Sequence, residues 1–191
     1  MNLSPNELWN AFIASFKKNM IASQNENSLV SLFKDKFINR TERTSFYKED
    51  LFKKVAKDLD LAIEEKELLR VDIVLTKRYE GSWPVPIIFI ESENDAAGEL
   101  DREIFKLLSV NSPLKVLITY LNIEEEIKSE FEGHEDSYWY YLLRDFAKLN
   151  RLTGFFGVIS PFFEDGKLCF HYVVYDDSGN LVGNLQKFYL N

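Results

Sequence analysis

The chain has 191 residues, with 31 Asp and Glu against 23 Lys and Arg, a net charge of −8. Apolar residues make up 46% and charged residues 28%, an ordinary globular balance that excludes disorder as the main state and lets a single domain bury a core. The acidic charge also excludes a nonspecific nucleic-acid coat, although not an enzyme that grips nucleic acid locally.

Apolar runs such as Val85 to Ile90 fall far short of the ~20 residues that span a bilayer, so a membrane protein is not expected. With no leader-like N-terminus and one cysteine, Cys169, the expected compartment is the cytoplasm.

In chain order, Ser4-Pro5-Asn6-Glu7 opens a helix with a capping box, and Leu8, Phe12, Ile13, Phe16 and Met20 form its buried face. After a polar turn, Leu29, Leu32, Phe33 and Phe37 mark a second helix. A third is expected from Thr44 or Ser45, carrying Leu51, Phe52, Val55 and Leu59. The period then changes, and Leu61 to Glu64, Leu68 to Thr76 and Val85 to Ser92 read as strands. Gly98 to Ser109 is helical, Leu114 to Leu121 a strand and Tyr138 to Leu149 a helix. Thr153 to Ser160, Leu168 to Tyr175 and Leu185 to Leu190 read as late strands separated by Asp-Gly and Ser-Gly turns. These either extend the sheet or form a small layer beside it. The expected fold is one mixed α/β domain, 1–191, with an N-terminal helical part (1–45), a core (46–121) and a C-terminal helix and strands (122–191).

Acidic residues are placed where chemistry is plausible. Strand alternation puts Val71, Ile73 and Leu75 on one face and Arg70, Asp72 and Val74 on the other. It likewise puts Glu91 and Glu93 on one side of the next strand. If these strands are neighbours, Asp72 and Glu91 converge at one rim, with Glu93 just beyond. Clustered carboxylates repel, and a divalent cation relieves them. Mg²⁺, or Mn²⁺, takes one or two carboxylates, a backbone carbonyl and waters. Asp72, Glu91 and the Ser92 carbonyl supply that set, and the chemistry that follows is phosphodiester hydrolysis.

Asp72, then 18 residues, then Glu91-Ser92-Glu93, a helix and a strand, together resemble the PD-(D/E)XK, or restriction-endonuclease-like, superfamily over residues 46 to 121. The resemblance implies a central mixed sheet flanked by helices, metal ligation by Asp72 and Glu91, and a nucleic-acid substrate, DNA or RNA. Two positions depart from the pattern: Val71 replaces the usual Pro, and Glu93 stands where a Lys is usual. Glu93 then serves as general base or extra ligand, or Lys106 reaches in from the following helix. An acid from the preceding helix is also implied, with Glu49 the first candidate and Glu7 the second. The rival reading is a noncatalytic interaction protein, an inhibitor or antitoxin-like partner on the same scaffold.

Other features have plainer readings. Lys77 to Pro84 either touches nucleic acid or, preferred here, is a hairpin loop with Trp83 folded against the domain. His134 and His171 are structural, because neither is spaced to a second His for zinc. Cys169 is a buried small hydrophobe. The aromatic run Tyr138 to Tyr141 packs in the core or forms a homodimer face.

Overall fold

Ser4 and Glu7 cap the first helix reciprocally. The Ser4 N–H and hydroxyl donate to Glu7 Oε2 at 2.8 and 2.7 Å, and the Glu7 N–H donates to Ser4 Oγ at 3.4 Å. Helix α1 (Pro5–Gln24) then buries Leu8, Phe12, Ile13, Phe16 and Met20, as the helical spacing requires, and Trp9 beside them. The computed structural model describes residues 3–24, 29–34, 39–64, 68–80, 82–93, 100–121, 140–149 and 151–190. Phe37, Gly98, His134, Tyr138 and Trp139, singled out in the sequence, lie outside them.

Helices α2 (Leu29–Lys34) and α3 (Arg40–Ser45) lead through a π-helical turn (Phe46–Leu51) into α4 (Phe52–Asp58). The third helix therefore starts earlier than expected. Arg43 is the reason: it is buried, donates to the Leu32 carbonyl at 2.8 Å, and lays its guanidinium over the Tyr120 ring at 4.8 Å. The polar stretch around it is thereby folded into a helix.

Strands β1 (Ala62–Ile63), β2 (Ile73–Lys77), β3 (Val85–Ser92), β4 (Leu114–Ile118), β5 (Phe155–Glu164), β6 (Lys167–Tyr175) and β7 (Gln186–Tyr189) form one sheet in that order. Helix α5 (Leu100–Ser109) links β3 to β4, and α6 (Tyr140–Lys148) precedes β5. Strands β3, β4 and β5 run parallel, while the outer pairings are antiparallel. The late strands thus extend the sheet. The Asp165-Gly166 turn between β5 and β6 has both residues left-handed, at φ 50° and 77°, the conformation a tight two-residue hairpin demands.

Both faces of the sheet are covered. On one, α1, α2 and α4 pack against Ile73, Leu75, Ile88, Ile90, Val116 and Phe170. On the other, α5 and α6 pack against Val74, Phe89, Leu117, Val158 and Val173. This is a mixed α/β fold.

One strand differs from its sequence reading. Leu69 and Arg70 adopt left-handed φ values of 57° and 63°, and the Val71 N–H closes the turn onto the Leu68 carbonyl at 3.1 Å. Strand β2 therefore begins only at Ile73. Val71 falls on the α5 side with Val74, opposite Ile73 and Leu75, because the bend at Asp72 interrupts the alternation.

Candidate metal centre

Strand β3 carries Glu91 to the carboxyl end of the parallel strands. Its neighbour Phe89 faces α5, and Glu91, two residues on, faces the same way. Ile73 pairs with Ile90, so Asp72 arrives opposite Glu91 from the start of the antiparallel neighbour. The two acids interlock through the backbone. The Asp72 N–H donates to Glu91 Oε2 at 3.4 Å, and the Ser92 N–H donates to Asp72 Oδ2 at 3.2 Å. Convergence of Asp72, Glu91 and Ser92 is thus observed.

Lys106 enters from α5. Its ammonium lies 2.7 Å from Glu91 Oε1, contacts Glu103 one turn back, and donates to the Arg70 carbonyl at 3.0 Å. Glu91 divides its oxygens between two neighbours: Oε1 meets the lysine and Oε2 faces Asp72. Glu91 is 1% exposed. Burial, followed by the Asp72 charge, pushes its carboxyl up to about 9 against the opposing pull of Lys106. For Lys106, burial acts to lower the ammonium, but Glu103 and Glu91 outweigh it and hold it above its ordinary value. The site joins buried Glu91 to half-buried Asp72 and is closed by Lys106.

The remaining candidates stand differently. Glu93 is buried just past β3, where its N–H donates to the Ile118 carbonyl. Glu49 is exposed and pairs with Lys53 at 2.5 Å, so its partner belongs to its own helix and not to the Asp72–Glu91 group. Glu7 is engaged in the α1 cap. Glu103 was not anticipated from the sequence. Its signal was the Glu103–Lys106 spacing on an amphipathic helix, which also describes many surface ion pairs.

Asp72, at the bend before β2, and Glu91, on β3, bring two carboxylates beside the Ser92 backbone, oxygen donors of the kind a divalent cation takes. Such an ion would also offset the Asp72 repulsion and the desolvation that together raise the Glu91 carboxyl.

Nearby, the loop between β2 and β3 departs from expectation. Trp83 is 90% exposed, and Tyr79 is exposed as well. The ring is not folded against the domain, and the loop is tied down instead at its base, where Lys77 pairs with Asp60 at 2.5 Å.

Elsewhere, Cys169 is buried as expected, and burial, followed by the Glu164 charge, pushes its thiol up to about 11. Burial therefore works against a ready thiolate nucleophile. Among the described residues, one group of three or more His, Cys, Asp or Glu has ligand atoms all within 4.8 Å of one another: Glu164, Cys169 and His171. The sequence reading gives Cys169 and His171 separate structural roles. No family model, curated protein or solved structure matches the chain.

Proposed function

We propose that the protein is a Mg²⁺-dependent phosphodiester hydrolase acting on nucleic acid, built on a restriction-endonuclease-like core. The observation that carries this reading is the meeting of Asp72, Glu91 and Lys106 at the carboxyl edge of β3, reached from three separate elements.

In this reading Asp72 and Glu91 hold the cation, with the Ser92 carbonyl available as a further oxygen. The cation supplies charge stabilisation at the scissile phosphate and activates water. Lys106 keeps Glu91 oriented and sets a second positive charge beside the phosphate. It takes the place of the lysine absent from position 93, where Glu93 remains the candidate base. The exposed Trp83 and Tyr79 give a surface on which a base can stack.

The test is cleavage of pooled single- and double-stranded DNA and RNA in Mg²⁺ or Mn²⁺. Asp72→Asn and Glu91→Gln should each lower the rate at least ~100-fold, and Lys106→Met by ~10–100-fold, with unchanged far-ultraviolet circular dichroism. Wild-type protein without metal-dependent cleavage, or full activity in Asp72→Asn, would overturn the enzyme. The scaffold would then be that of a binding partner.

A further inference from the structure

The β5–β6 hairpin builds a second ligand set on the same side of the sheet as Glu91. Its tight turn pairs Glu164 with Lys167, Phe162 with Cys169 and Ser160 with His171. Strand alternation then places Glu164, Cys169 and His171 on one face. Strand β7 adds Tyr189 opposite Cys169 and Lys187 opposite His171. The imidazole stacks on the Phe162 ring at 5.6 Å, which fixes its plane. Cys169 and His171 are buried, whereas Glu164 borders a cleft of about 280 Å³ with Asp165, Lys167 and Tyr189. Lys187 presently supplies the cation, donating to both Glu164 oxygens at 2.9 and 3.1 Å, and the Tyr189 hydroxyl donates there too.

We propose that Glu164, Cys169 and His171 form a three-ligand Zn²⁺ site whose fourth position opens to the cleft. One sulfur, one imidazole nitrogen and one carboxylate oxygen are the donors zinc prefers, whereas Mg²⁺ takes oxygen alone. The ligand atoms already lie within 4.8 Å of one another, compatible with a tetrahedral centre having bonds of about 2.0–2.3 Å. As the Zn–S bond forms, the Cys169 proton leaves to solvent. Glu164 exchanges the Lys187 ammonium for the metal, and Lys187, already 43% exposed, turns outward. Thiolate, carboxylate and Zn²⁺ together carry no net charge, so the buried strand takes up a neutral group.

The experiment is Co²⁺ titration of the chelator-stripped full chain, followed by displacement with Zn²⁺. One Co²⁺ per chain with a thiolate-to-cobalt charge-transfer band is expected. Cys169→Ser should abolish the band, and His171→Gln and Glu164→Gln should weaken binding by roughly 100-fold and 10-fold. Glu164 lies at the surface, so its variant tests the site without risk to the core. Asp72→Asn and Glu91→Gln should leave the band unchanged, which separates this centre from the acid pair. A folded wild-type chain that gives no charge-transfer band, or a band that persists in Cys169→Ser, would overturn the proposal.

Discussion

Glu91 concentrates the electrostatics of the protein in one side chain. It is buried, faces Asp72 and is held by Lys106. Burial and the Asp72 charge push its folded carboxyl from the ordinary 4.5 up to about 9. Between those values the folded chain keeps a proton that the unfolded chain releases, so this group costs the native state stability as pH rises through the interval. Glu91→Gln stays neutral throughout. The variant should therefore gain stability relative to the wild type from pH 5 to pH 9, by at most about 1.4 kcal/mol per pH unit. Urea unfolding at a series of pH values measures this. A constant difference across that range would mean that Glu91 ionises normally, with Lys106 fully neutralising it.

At the scale of elements, the docking of α1 on the sheet depends on Gly157 in β5. A Cβ there would intrude on the Trp9 ring, 2.7 Å from Cη2 and 2.9 Å from Cε3. The ring is buried, with Phe12 at 6.1 Å and Tyr172 at 6.3 Å, so moving it would disturb both contacts. Gly157→Ala should destabilise the protein by about 2–3 kcal/mol through overpacking, and combining it with Trp9→Leu should recover part of that loss. A shift below about 0.5 kcal/mol in urea would show that α1 can slide on the sheet. Packing of this kind is silent in the sequence, since a glycine in a strand looks like any weak point until its neighbour is known. Other features were plain: Ser4 and Glu7 announce α1, and Glu91-Ser92-Glu93 closes the strand it was expected to close. The bend at Asp72 was hidden, because Leu69 and Arg70 carry no glycine or asparagine to signal left-handed backbone. Lys106 is offered by the sequence as a lysine reaching in from the following helix, but its partner there is not. Its meeting with Glu91 depends on how the β3–α5–β4 crossover turns that helix toward the sheet. The Cys169–His171 alternation was likewise legible, but Glu164 joins them only through the hairpin register.

Across the whole molecule, the two candidate centres lie on one face of the sheet and remain separate. Register runs from Glu91 to Leu117, Val158 and Val173, and His171 follows two residues before Val173 on β6. Three interstrand spacings of about 4.8 Å separate them by roughly 14 Å across the sheet, with Leu117 and Val158 packed between, and the offset along β6 to His171 and Cys169 adds to that distance. Cations that bind only the folded chain stabilise it by mass action, about 2.7 kcal/mol at a hundredfold excess over Kd. For a chain of this size that raises Tm by roughly 5–10 °C. Mg²⁺ should produce its shift in wild type and Cys169→Ser but not in Asp72→Asn, and Zn²⁺ the reverse. Sites so far apart without shared ligands should also act independently, so the stabilisation with both ions present should equal the sum within about 0.5 kcal/mol. Differential scanning calorimetry with each ion alone and with both provides the comparison. If Zn²⁺ abolishes the Mg²⁺ increment, both ions compete for one centre and the separation inferred from the strand register fails.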